Sequence, residues 1–228
     1  MLSERLFYFI HGLVTMFFLL MGVQRLHRKE RTRFELLCGV VLIYWGVLEL
    51  KDLVFYASIF LRHNFISNLL ILIDMTAIPV GCFFVIELLN AGWCTLRRAS
   101  ALVAPFLLSV IAYAIFARQW IVDVTFIFVI GYSICFLIYM AFAVRRYNRM
   151  LNENYSNTER VHVRWLKGVA VMLLICLIVW TYSCYFSTWV ADSVYQLVLL
   201  TMWATALYFA DRQQTPQFTP PNRNYPSR

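Results

Sequence analysis

Residues 5–34 read RLFYFIHGLVTMFFLLMGVQRLHRKERTRF. An apolar run from Leu6 to Val23 is followed at once by Arg25, Arg28, Lys29, Arg31 and Arg33. The run approaches the roughly 20 residues a helix needs to cross the hydrocarbon of a bilayer. A basic cluster just beyond such a run is the mark of a cytoplasmic flank. The unit recurs down the chain. Further apolar runs occupy Phe34–Leu61, Phe65–Leu89, Ala99–Ala117, Trp120–Val144, Trp165–Phe186 and Trp189–Ala210. The pattern predicts an all-α fold: a polytopic membrane protein built as a seven-transmembrane-helix bundle.

The basic residues orient it. Sixteen of the twenty Lys and Arg lie in the first, third and fifth gaps, their flanks, and the C-terminal tail. Arg5, Arg62 and Arg118 lie on the other side, and Lys51 falls within a span. Basic residues concentrate on the cytoplasmic side, so the N-terminus is expected outside and the C-terminus in the cytoplasm. Glu4 offsets Arg5 and no A-x-A site follows Met21–Gly22, so the first run reads as an uncleaved span rather than a signal peptide. Trp93, Trp120, Trp165, Trp189 and Tyr208 lie near span ends, where aromatic anchors belong. Pro79 and Pro105 fall inside the third and fourth spans and are expected to kink them.

Composition agrees. The 228-residue chain is 61% hydrophobic and only 14% charged, against about a quarter charged in soluble domains. Residues 1–212 are expected to form one membrane domain, with no room for a separate catalytic one. The net charge of +8 follows from the orientation bias, so no direct contact with nucleic acid is expected. Residues 213–228 are polar and proline-rich and read as a disordered cytoplasmic tail. Asn157 or Thr158 is placed to cap a helix leading through Trp165. The six cysteines show no CxxC spacing and read as apolar packing residues.

Charges at membrane depth are costly and rare, which makes each a candidate site. Span two carries Glu49, Lys51 and Asp52 within VLELKDLVF, and span three carries Asp74 within LILIDMTAIPV. At 1.5 Å per residue, Lys51 and Asp52 lie roughly 15 Å below the outer end of span two, and Asp74 about 14 Å below that of span three. Lys51 and Asp74 are therefore expected to meet. Glu49 and Asp52 share a helix face that Lys51 does not, so one of the three must find a different neighbour. Other polar groups favour the same half: His11 and Thr15, Asp123 and Thr125, Thr181, Tyr182, Ser183 and Tyr185, Asp192 and Tyr195. Together they suggest an outward-opening crevice with Tyr182 and Tyr185 in its lining. Glu87, near the inner end of span three, is placed to pair with Arg97 or Arg98. Three roles stay open for the cluster: a neutralised packing network, a ligand pocket, or an ion or proton pathway.

Catalytic signatures are missing. There is no HExxH, no Walker A loop, and the four histidines are spread over both sides, so no enzyme activity, no metal site and no cofactor are expected. Span seven has no lysine to hold retinal.

The fifth gap reads NENYSNTERVHVRWLK (residues 152–167), and the last span ends as YFADRQ (208–213). With seven spans and this orientation, the chain resembles the membrane sensor region of Bacteroidetes-type AraC-like transcription regulators and of seven-span histidine kinases. The resemblance covers Met1 to about Arg212, and its most specific part is Tyr155–Trp165. It implies a sensor in the bacterial cytoplasmic membrane. In that family an output domain follows the last span. A chain ending at Arg228 is then expected to signal through a cytoplasmic partner or a homo-oligomer. The function expected is detection of an external or membrane-soluble small molecule. The alternatives are a small-solute or proton-coupled transporter and a structural membrane subunit.

Overall fold

The structure, a computed structural model, describes residues 2–29, 32–56, 64–154, 165–186 and 188–212. Residues 57–63, between the second and third apolar runs, the segment Tyr155–Arg164 and the tail 213–228 lie outside the described residues. Among the described residues there are eight helices and no strand. They are α1 (Leu2–Leu26), α2 (Arg33–Tyr56), α3 (Asn64–Met75), α4 (Ala77–Leu89), α5 (Leu96–Phe116), α6 (Gln119–Asn154), α7 (Leu166–Phe186) and α8 (Trp189–Arg212). Six of the rods, with α3 and α4 taken as one, are long and apolar enough to cross a membrane.

Local chemistry explains the ends. Thr32 and Glu35 form a capping box at the start of α2. The Thr32 hydroxyl accepts from the Glu35 N–H at 3.2 Å, and the Glu35 carboxylate accepts from the Thr32 N–H at 3.0 Å. The third apolar run is interrupted at a single residue near its proline. It parts at Thr76, because Pro79 has no N–H to offer the carbonyl four residues back. The Thr76 N–H turns to the Ile73 carbonyl at 3.0 Å, and its hydroxyl donates to the same carbonyl. The α5 helix, by contrast, continues through Pro105. The α6 helix runs past Val144, where the sequence set the span's end, to Asn154. Its 36 residues extend about 54 Å, well beyond the hydrocarbon thickness, so charge marks the membrane boundary there but not the helix end.

The rods form a ring. The α1 helix packs on α2 and α8, α8 on α7, α7 on α6, α6 on α4, and α4 on α2. The α5 helix lies outside the ring against α3, α4 and α6. The approach of α1 to α2 is close because α2 is glycine-bearing at the contact. A Cβ on Gly46 would lie 3.1 Å from the Leu19 backbone nitrogen, and one on Gly39 would lie 3.2 Å from the Gly22 carbonyl oxygen. The outer surface is apolar. Phe9, Leu13 and Met16 on α1, Ile127 and Phe142 on α6, and Val171 and Ile178 on α7 are all exposed. A continuous apolar exterior of this kind is poorly suited to water and well suited to lipid.

One end of the bundle is tied by charge. Arg25, only 2% exposed, donates to Asp211 at 2.8 Å, joining α1 to α8. Arg28 meets Glu35 at 2.5 Å and Asp211 at 3.6 Å. The Glu35 carboxylate beside it holds the Arg28 guanidinium above its ordinary value. Glu87 pairs with Arg33 of α2 at 3.2 Å, not with Arg97 or Arg98. Its carboxylate also accepts from the Gly92 and Cys94 N–H groups, at 2.8 and 3.1 Å. The turn beyond α4, which passes through Gly92 at φ +86°, folds back over Glu87 and brings it to Arg33. Burial, together with Glu87, pushes the Cys94 thiol up to about 11, so it is not a reactive thiolate at neutral pH.

Removing Asp211 leaves Arg25 buried without its carboxylate. Asp211→Ala is expected to lower stability by about 1–3 kcal/mol. Pairing it with Arg25→Met should recover most of that loss, because the isolated charge is then gone. Thermal melts of the single and double variants in detergent, followed by tryptophan fluorescence, check this.

Candidate functional site

The ring encloses a cavity of about 520 Å³, within the usual range for small-molecule sites. Every rod except α5 contributes described residues to its wall. Inward residues recur at helical spacing. On α8 they are Asp192, Tyr195, Gln196, Leu199, Met202 and Trp203, and on α7 they include Leu173, Cys176, Leu177, Trp180, Ser183 and Cys184. The wall has a polar half and an aromatic half.

In the polar half, Glu49 of α2 is the junction. Its Oε2 lies 3.1 Å from His11 Nε2 on α1 and accepts from Gln196 Nε2 on α8 at 2.8 Å. His11 Nε2 is also 2.9 Å from the Glu49 backbone carbonyl. Both neighbours are acceptors, so Nε2 carries a proton. Thr15 donates to the His11 carbonyl at 2.9 Å. Lys51 bridges two carboxylates. It contacts Asp52 beside it and Asp74 across the interface at 2.9 Å, tying α2 to α3. Of the three charges of α2, Glu49 is therefore met by α1 and α8, whereas Asp52 shares Lys51 with Asp74 of α3. Ser183 of α7 donates to Asp192 of α8.

In the other half, Trp45 and Trp203 meet edge-to-face at 5.8 Å. Phe18 lies 5.7 Å from Trp45 and Phe84 5.4 Å from Trp203. The offset and edge-to-face arrangements are those favoured by aromatic quadrupoles. Among the described residues neither indole N–H has a hydrogen-bond partner, nor does Gln196 Oε1, although all three atoms are buried. Among the described residues, no group of three His, Cys, Asp or Glu is placed to hold a metal.

The structure brings together His11, Glu49, Asp52 and Asp74 in one cavity wall, with Lys51 behind it as the counter-charge of Asp52 and Asp74. Tyr182 is not in the lining. It is 50% exposed on the outer side of α7 and borders a shallow groove with Ile178, Val190 and Val194. The reason is helical phase: with Trp180, Ser183 and Cys184 turned inward, Tyr182 must face away. Tyr185 belongs to α7, and its side chain lies outside the described residues. Sequence reasoning missed Trp45, Trp180, Trp203 and Gln196. The signal was available: three of the seven tryptophans lie away from span ends, and all three line the cavity.

Comparison with known protein families, with curated proteins and with solved structures gave no match.

Lys51 is the counter-charge for both Asp52 and Asp74, so Lys51→Met is expected to cost about 3 kcal/mol by leaving two carboxylates face to face. Adding Asp74→Asn should restore much of the loss. Melting temperatures of the two single variants and the double variant form the cycle that measures it.

Proposed function

We propose that the protein is a seven-span, receptor-like sensor of the bacterial cytoplasmic membrane, with its N-terminus outside and its C-terminus in the cytoplasm. A small external or membrane-dissolved molecule enters the central cavity, and the change is read at the cytoplasmic end by a partner protein or a second copy of the chain. The carrying observation is that α8 belongs to both ends of this route. It supplies Gln196 and Trp203 to the cavity and Asp211 to the ionic cluster with Arg25 and Arg28. Gln196 and Asp211 are about 22 Å apart along the helix axis. A ligand that favours one position of α8 therefore shifts the ion pairs at the far end, provided it binds the two positions differently.

The sixteen-to-three distribution of basic residues supports the orientation. The α2 helix is not among the rods that qualify by length and hydropathy. Beyond Arg33 at its start, its exposed residues are nonetheless apolar, at Leu36, Val40, Val47, Leu50 and Val54, while Glu49, Lys51 and Asp52 meet partners within the bundle. That arrangement supports α2 as the seventh span. The resemblance of the chain to seven-span sensor regions points the same way.

Carboxylates and a lysine gathered in one cavity are also what a proton-coupled carrier needs, and this is the second reading. Two experiments decide. A green fluorescent protein fused after Arg228 should fluoresce, and alkaline phosphatase fused there should be inactive; the reverse result rejects the orientation. In proteoliposomes holding a pH-sensitive dye, a receptor gives no proton flux above protein-free vesicles. A flux carried by the wild type and abolished by Asp74→Asn would establish the carrier instead.

A further inference from the structure

We propose that the cavity takes a small organic monocation: a protonated amine on a flat apolar body, with a hydrogen-bond acceptor at its far end. The proposal deepens the receptor reading and rests on it only for the existence of a ligand.

Charge is the first observation. Glu49, Asp52, Asp74 and Asp192 all line the cavity. Against them stand Lys51, shared between Asp52 and Asp74, and His11 on Glu49. Asp192 has a neutral partner, the Ser183 hydroxyl. Counted by formal charge, four carboxylates face one lysine and one histidine, so acidic groups outnumber basic ones in and behind the wall, and a low-dielectric wall of one sign concentrates ligands of the other.

Unpartnered buried atoms are the second, independent observation. Gln196 is 5% exposed and Trp203 is 4% exposed. Gln196 gives its N–H to Glu49, which leaves Oε1 as an acceptor without a donor. Trp203 Nε1 and Trp45 Nε1 are donors without an acceptor. Leaving such groups unmade is unfavourable. Asp192, Gln196, Leu199 and Trp203 follow one stripe of α8 at helical spacing and all line the cavity. The carboxylate and the spare acceptor thus lie at one end of the stripe, and the spare donors about 10 Å further along it. A donor-bearing cation suits the first end and an acceptor atom suits the second. Leu199 lies between them on the stripe, and the lining also includes Trp180 and Phe136, flat and apolar wall where a cation gains from aromatic faces. A bare metal ion would leave that apolar length unfilled, and an anion would meet the carboxylates. The spare atoms are covered by neighbours in this structure, so pairing them requires the side chains to turn. Ligand binding is thereby coupled to the wall, and through it to α8.

Calorimetry on the full chain in lipid nanodiscs tests the proposal with four related probes. They are tyramine, phenethylamine, 4-ethylphenol and 3-(4-hydroxyphenyl)propionate. Tyramine should bind saturably, at least tenfold tighter than neutral 4-ethylphenol, and the propionate should bind weakest. Asp192→Asn should weaken both amines at least tenfold and leave 4-ethylphenol unchanged. Trp203→Phe keeps a ring and removes the N–H, so it should remove the advantage of tyramine over phenethylamine. A thermal melt confirms that each variant is folded, and the wild-type ranking of the four probes stands without either variant. Equal or tighter binding of the propionate, amine binding indifferent to Asp192→Asn, or no amine binding at millimolar concentration overturns the proposal. Proton flux in the proteoliposomes would overturn the receptor reading and leave the amine site standing. Binding of the propionate alone would do the opposite.

Discussion

Glu49 is the group on which the interior depends. Within a bundle whose exterior is apolar, a carboxylate has to find its partners in the protein. Glu49 finds them on two other helices: His11 on α1 and Gln196 on α8 both converge on its Oε2. The α1 and α8 helices are adjacent in the ring, and α1 also lies against α2. One carboxylate therefore sets the relative depth of three rods. Lys51, two residues further on, does the same for α2 and α3 through Asp74. The result is a polar layer in which each rod is keyed to its neighbour by a specific charge or amide, instead of by apolar packing that tolerates sliding.

The same logic governs the opposite end with different chemistry. There Arg25, Arg28 and Arg33 reach carboxylates on other elements, Asp211 on α8, Glu35 on α2 and Glu87 on α4. Between the two keyed layers lies the aromatic floor of Phe18, Trp45, Phe84 and Trp203. Its edge-to-face and offset contacts add specific packing between the two layers. The α8 helix passes through all three levels, with Gln196, Trp203 and Asp211 in turn.

Much of the architecture was legible because it rests on composition and period. Apolar runs at helical length imply an all-helical bundle, and counting depth along the two runs sets Lys51 opposite Asp74, where the ion pair is found. What was not legible depended on azimuth. Tyr182 and Ser183 are neighbours in sequence but face opposite sides of α7, and a run as uniformly apolar as LKGVAVMLLICLIVW carries no stripe to fix its phase. The break at Thr76 was displaced from Pro79 because the missing N–H is felt by the preceding turn, not at the proline itself. Arg33 outcompeted Arg97 and Arg98 for Glu87 because the Gly92 turn directs that carboxylate toward α2, a matter of loop geometry. The buried tryptophans were readable as exceptions: Trp45 and Trp203 lie far from span ends, where the amphipathic indole ordinarily belongs.

Those exceptions bear on what the cavity is for. A bundle selected only for stability has no reason to place tryptophan at its centre, since phenylalanine offers a similar ring without a polar N–H to satisfy. Nor does it need an amide whose oxygen is left over after the nitrogen has met Glu49. Trp45, Trp203 and Gln196 each carry one hydrogen-bonding atom more than the described residues use. All three line the same cavity, which also holds the acidic excess. Uncompensated polarity in several places would suggest imperfect packing. Here it is concentrated around one cavity, with the spare acceptor toward one end and the spare donors toward the other, which is the arrangement the amine proposal rests on.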